Sequence, residues 1–174
     1  MREMRVLTIG VDAQQDEPVL LLQETADQRR ILPIWIGVPE AAAIEAERRH
    51  VPTPRPTTHH LIGQIIETFA HHVEQVRITM LREATFHAEL VLDGDIRIPT
   101  RASDGIVLAL HLGVPILAAD TVLDQAALRD ARLIDNDEPA SAAPREEPQA
   151  DEAPEIERFR RFIDNASPED FGRP

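Results

Sequence analysis

The 174-residue sequence contains no cysteine, no tyrosine and no lysine, and only one tryptophan. Without cysteine there is no disulfide, thiolate zinc site, iron–sulfur cluster or thiol nucleophile. All 18 basic residues are arginine, the mark of a GC-rich coding bias more than of a mechanism. No apolar run approaches the roughly 20 residues of a membrane span. Neither a Walker A loop nor a G-x-G-x-x-G turn occurs, which argues against triphosphate and dinucleotide enzymes. A G-x-S-x-G nucleophile elbow is also missing, so Ser103 is read as a helix cap and not as a nucleophile. No arginine-rich stripe with interleaved aromatics is present, so binding through a broad basic face is not expected. The opening Met1-Arg2-Glu3-Met4-Arg5 lacks an apolar leader; the expected location is the cytoplasm.

What is present is a core-forming composition, 43% hydrophobic, with a formal charge of −13. That charge is unevenly placed. Residues 1–134 hold 13 Arg against 19 acidic residues, a net of −6, while residues 135–174 hold 5 against 12, a net of −7. Residues 135–154 combine four prolines with many acids and no large apolar side chain, the composition of a disordered linker. Beyond it, Ile156, Phe159, Phe162 and Ile163 recur at helical spacing, so 155–174 reads as a short amphipathic tail. The expected organisation is one domain over 1–134, a linker, and that tail.

The domain carries an internal repeat. Arg5–Val11, Pro18–Gln23 and Arg30–Gly37 read as strands, followed by a helix over Pro39–Arg49. Gln75–Leu81, Thr85–Leu92 and Asp95–Thr100 repeat the strands, followed by a helix over Ser103–Leu112. Both helices close on Val-Pro, Val51-Pro52 and Val114-Pro115, 63 residues apart. Pro33 and Pro99 fall inside the third strands, which predicts edges or bulges there. Between the halves, Leu61, Ile62, Ile65, Ile66, Phe69 and Val73 predict a helix over Thr57–His72 with one apolar face, capped by Thr57 or Thr58. A last helix is predicted over Thr121–Arg132. Asp93-Gly94 signals a hairpin. The fold class is α+β: duplicated β-β-β-α units in a mostly antiparallel sheet or partly closed barrel, joined by a connecting helix.

Leu32–Ile44 (LPIWIGVPEAAAI), Arg55-Pro56-Thr57-Thr58-His59 and Arg101-Ala102-Ser103-Asp104-Gly105-Ile106 together resemble the bifunctional nuclease family. Its signatures look like LPIWIG-x-x-E-A-x-A-I, R-P-x-T-H-D-L and R-P-S-D-A-I, in this order. The resemblance covers roughly residues 5–130, and the tail resembles that of actinobacterial members. It implies a divalent-metal-dependent hydrolase of RNA and DNA phosphodiester bonds, an α+β fold and a homodimer. Three positions in two of the motifs depart from the pattern: His60 stands where the family has Asp, and Ala102 and Gly105 stand where it has Pro and Ala.

The chemistry of the residues suggests roles. Glu40 and Asp104 hold nearly equivalent places in the two repeats, and two carboxylates from different elements can share a Mg²⁺ or Mn²⁺. They are the candidate metal ligands and catalytic acids; each also suits the positive end of a helix dipole. Arg55 and Arg101 precede helix starts and are candidate phosphate-binding groups, with Arg101 pairing to Glu40 or Asp104 as the structural alternative. His59 is the candidate proton shuttle or else a helix-terminal hydrogen bonder. The pairs His59-His60 and His71-His72 do not make a zinc site with each other, because positions 60 and 71 lie about 16 Å apart along one helix. Trp35 reads as packing rather than base stacking. The competing expectation is a catalytically degenerate regulatory or scaffold protein that binds a protein partner through its domain surface and C-terminal tail. Apolar edge strands such as Ile31–Ile36 favour the homodimer, since unpaired edges tend to be covered.

Overall fold

The computed structural model describes residues 1–12, 17–27 and 30–128. The linker over 135–154, the tail over 155–174 and the end of the predicted helix over 121–132 lie outside the described residues.

Among the described residues, seven strands form one mixed sheet. β1 (Arg2–Asp12), β2 (Glu17–Glu24) and β3 (Ile31–Trp35) make an antiparallel meander, and so do β4 (Val73–Arg82), β5 (Thr85–Leu92) and β6 (Ile96–Arg101). A three-residue strand, β7 (Ile116–Ala118), joins them. It pairs antiparallel with β1 and parallel with β4, giving the order β3-β2-β1-β7-β4-β5-β6. The sheet is open, so the barrel alternative does not hold. Sequence reasoning did not predict β7, because three residues are too few for a periodic signal and its pairing is wholly long-range. Pro33 and Pro99 sit on β3 and β6, the two edges, where a missing N–H costs least. The β3 edge is further covered at Ile31, which exchanges both backbone hydrogen bonds with Leu128.

One sheet face is apolar, and the register explains why. Leu22 lies opposite Val6 and Leu32, Leu20 opposite Ile34, Val76 opposite Leu90 and Ile116, and Ile78 opposite Ala88 and Ala118. Helices α1 (Val38–Arg48), α2 (Thr58–Thr68), α3 (Ala102–Leu112) and α4 (Asp120–Ala126) cover that face, contributing Ile44, Ile106, Ala109, Val122 and Leu123 to the same core. The opposite face carries Arg77, Glu89 and Arg97 as an ion-paired row, the polar side usual for antiparallel sheets. None of the described helices is long and apolar enough to cross a membrane.

Three helices end alike. His50, Ala70 and Gly113 adopt positive φ, and the next N–H reaches back to Ala46, Ile66 and Ala109 respectively, the Schellman pattern. In α1 and α3 the valine of each Val-Pro pair supplies this N–H. For α2 this closure comes at Thr68, four residues before the predicted end at His72, and frees His72 N–H to reach Asp93 Oδ1. The single apolar face predicted for α2 also splits. Ile62 and Ile66 pack on the core, whereas Leu61, Ile65 and Phe69 face outward.

Candidate functional site

The third strands feed directly into α1 and α3, so the first turns of both helices carry acids at matching places. Gly37 caps α1 with extended backbone and no side-chain hydrogen bond. Arg101 holds the same place before α3; Ser103, expected to be the cap, lies buried inside the helix. Thr57 caps α2, its hydroxyl accepting from His60 N–H.

These three helix starts meet. Arg101 Nη1 donates to Glu40 Oε1 at 2.8 Å. Its Nε and Nη2 donate to Asp104 Oδ2 and Oδ1 at 2.7 and 3.0 Å. His59 Nε2 lies 3.3 Å from Asp104 Oδ1. Four candidate residues from three helix starts thus form one cluster, with a single guanidinium joining carboxylates from the two repeats. Arg101 is 67% exposed, while Glu40, Asp104 and His59 are largely covered. The Arg101 hydrogen bonds hold the Asp104 carboxyl below its ordinary range, with His59 adding to them against partial burial. Asp104 and Glu40 in turn raise the Arg101 guanidinium above its ordinary value. Arg55 is not in this cluster; it is exposed on the loop before α2, with no hydrogen bond or ion pair among the described residues.

The two oxygen-donor carboxylates, Glu40 and Asp104, fit a small hard divalent ion in donor type. The guanidinium supplies the balancing positive charge in the present arrangement. Being mostly solvent-exposed, Arg101 can leave without disturbing the core.

A second cluster was missed from the sequence. Glu47 of α1, His60 of α2 and His111 of α3 present their ligating atoms within 4.8 Å of one another. Glu47 follows Glu40 by seven residues, and His111 follows Asp104 by seven, two helical turns in each case. That spacing is a signal only once α1 and α3 are known to be neighbours. His71 goes elsewhere, to Asp93 Oδ1 at 2.9 Å, in keeping with the rejected pairing of His60 and His71. Trp35, read as packing, is half-exposed and donates its indole N–H to Asp12 Oδ2 at 3.0 Å.

Residues 20–131 match the sequence profile of the bifunctional nuclease domain. The chain belongs to that family. A Mycobacterium tuberculosis protein described only as uncharacterized is 46% identical over 173 residues, covering 98% of both chains. Bifunctional nuclease 1 of rice (Oryza sativa subsp. indica) is 27% identical over 118 residues, which span 64% of this chain and 35% of the plant protein. A bifunctional nuclease of Oryza minuta matches to the same extent. The matched span of this bifunctional nuclease domain contains every residue of both clusters.

Proposed function

We propose that this domain is a divalent-metal-dependent nuclease that hydrolyses phosphodiester bonds of RNA, DNA or both, working at the cluster of Glu40, His59, Arg101 and Asp104. Family membership supports the nuclease class. The observation that carries the site is that one guanidinium bridges acids from both repeats where three helices begin.

Glu40 and Asp104 would hold Mg²⁺ or Mn²⁺, which when bound polarises the phosphate and lowers the pKa of a water. The chain's own residues do the rest. Arg101, released from the carboxylates, turns its planar fork to the phosphate oxygens. Arg55, exposed and uncommitted, supplies a second contact to the nucleic-acid backbone. The N-terminal N–H groups of α1, α2 and α3 add partial positive charge near the anion. In the neutral tautomer that donates Nε2–H to Asp104, His59 keeps Nδ1 as an acceptor, so it can take a proton from water and return it to the leaving oxygen. Few cations are involved, which suits single-stranded or loosely structured substrate better than a rigid duplex groove.

The test is cleavage of labelled RNA and DNA with Mg²⁺ or Mn²⁺. Activity is expected to vanish in EDTA and again in Glu40→Gln and Asp104→Asn. Activity that survives both substitutions removes this site. A homodimer belongs to the same reading, and the outward stripe of Leu61, Ile65 and Phe69 on α2 supports it as the contact face. The regulatory reading draws on the same Arg101 bridge, taken as a permanent clasp between repeats. It is favoured if the native chain is inert with every divalent ion while Arg101→Gln lowers stability.

A further inference from the structure

The geometry points to a second metal site, built by Glu47, His60 and His111, that takes a zinc-class transition ion and clips three helices together. It is independent of the nuclease reading.

The three ligands arrive from three elements. Glu47 lies in the last turns of α1, His60 in the first turn of α2, and His111 in the last turn of α3. The first turns of α1 and α3 meet through Arg101, and their last turns meet through Glu47 and His111. These two helices therefore run side by side in the same direction, and α2 sets its first turn against both. His59 and His60, about 100° apart on α2, divide accordingly, one toward Asp104 and the other toward Glu47.

Distances suit a tetrahedral ion. Bonds of about 2.0–2.1 Å place neighbouring donor atoms about 3.3 Å apart. His60 Nε2 lies 2.5 Å from Glu47 Oε1, and His111 Nδ1 lies 3.4 Å from Glu47 Oε2. The backbone already holds the donors at ligating range, and only side-chain adjustment is needed. The rings of His60 and His111 are stacked, with centroids 4.0 Å apart and planes 19° apart. One ion cannot lie in the planes of two such rings, so loading requires one ring to turn about χ2, a soft torsion for imidazole. His111 is the more exposed of the two and is the ring that turns. One carboxylate faces both imidazoles, hydrogen-bonded to His60 and within ion-pair range of His111.

The donor set selects the ion. Two imidazole nitrogens and one carboxylate suit zinc, cobalt, nickel or iron and disfavour Mg²⁺ and Ca²⁺, which take oxygen ligands. Three protein ligands would leave a fourth position for water or another small ligand. The nearby oxygen-rich cluster of Glu40 and Asp104 has the opposite preference, so the two sites differ in chemistry as well as place.

The experiment uses the full chain stripped of metal with a chelator and then dialysed. Titration with Co²⁺ is expected to give one equivalent of tightly bound ion with the intense visible bands of tetrahedral coordination. Zn²⁺ should displace it and raise the melting temperature with concentration. Mg²⁺ should leave the cobalt bands unchanged. His111→Phe keeps a stacking ring but removes the nitrogen, and Glu47→Gln keeps shape but removes charge; each should abolish the bands. His71→Gln should retain them. Melting curves in chelator show whether each variant is folded. The proposal is overturned if the native chain shows neither tetrahedral bands nor a zinc-dependent rise in melting temperature. It is equally overturned if folded His111→Phe and Glu47→Gln both keep them. Because no readout is nuclease activity, failure here is distinct from failure of the active-site assignment.

Discussion

Gly37→Ala separates the seat of Glu40 from the stability of the fold. Gly37 has φ −74° and ψ 163°, which alanine adopts freely, so the glycine is not required by backbone conformation. Only the present seat of Glu40 depends on it: a Cβ at this position would clash with the Glu40 carboxylate. That carboxylate ends a flexible side chain, so it swings aside and releases Arg101. An exposed ion pair of this kind is worth at most about 1 kcal/mol. Alanine for glycine at an N-cap costs roughly 0.5–1 kcal/mol, offset by about 0.4–1 kcal/mol of unfolded-chain entropy. The net loss expected is about 1 kcal/mol. With an m-value of about 2 kcal/mol per M, the urea midpoint falls by about 0.5 M. The catalytic effect is far larger, since misplacing a reacting group by about 1 Å costs on the order of a hundredfold. Denaturation and cleavage assays on one preparation should therefore show a nearly native fold with activity close to that of Glu40→Gln. In a Gly37→Ala/Glu40→Ala double variant the clash has no partner, so the stability losses should fall short of additivity. Native-like cleavage by folded Gly37→Ala, or strict additivity, refutes the reasoning.

Three further outcomes follow from the packing and charges. Gly105→Ala gains about 1 kcal/mol of helix propensity but sets a Cβ 2.8 Å from Val76 Cγ1 and 3.2 Å from Thr100 Cγ2. Overpacking of about 1–3 kcal/mol should win, and thermal melts should show Gly105→Ala rescued in part by Val76→Ala. Asp104 titrates below its ordinary value in the folded chain, so its contribution to stability is full above the unfolded aspartate pKa of about 3.9. It is lost as pH falls from there through the lower folded value; urea midpoints measured against pH should lose that component in Asp104→Asn. Phe69→Glu replaces a side chain 74% exposed on α2, so the melting temperature should hold while any dimer seen by sedimentation velocity weakens. A dimer unchanged by this variant would rule out the α2 stripe as its contact.

Much of the scaffold could be read along the chain. Apolar patterning exposed six strands, although only some of them alternate between core and solvent: β3 is buried along most of its length and β6 has no buried residue. Pro33 and Pro99 announced the sheet edges because a strand residue without an N–H is tolerated there. The acids at Glu40 and Asp104 stood out because the repeat put them at matching helix starts. What could not be read came from contacts across the chain. The end of α2 depends on Ala70 taking a left-handed conformation so that His72 meets Asp93, and the apolar pattern gives no hint of it. Leu61, Ile65 and Phe69 look like core in a hydropathy pattern, yet only the neighbours of α2 decide which stripe is covered.

The sequence alone determined the α+β class, the duplicated units, the edge strands and the family, because these rest on local periodicity, turn chemistry and ordered motifs. The tertiary structure decided that the sheet stays open with β7 between its halves, that Arg101 joins Glu40 to Asp104, and that Glu47, His60 and His111 converge. Each of these depends on which helix lies beside which. That adjacency is set by burial of a shared core, a property of the whole chain that no short window of residues records.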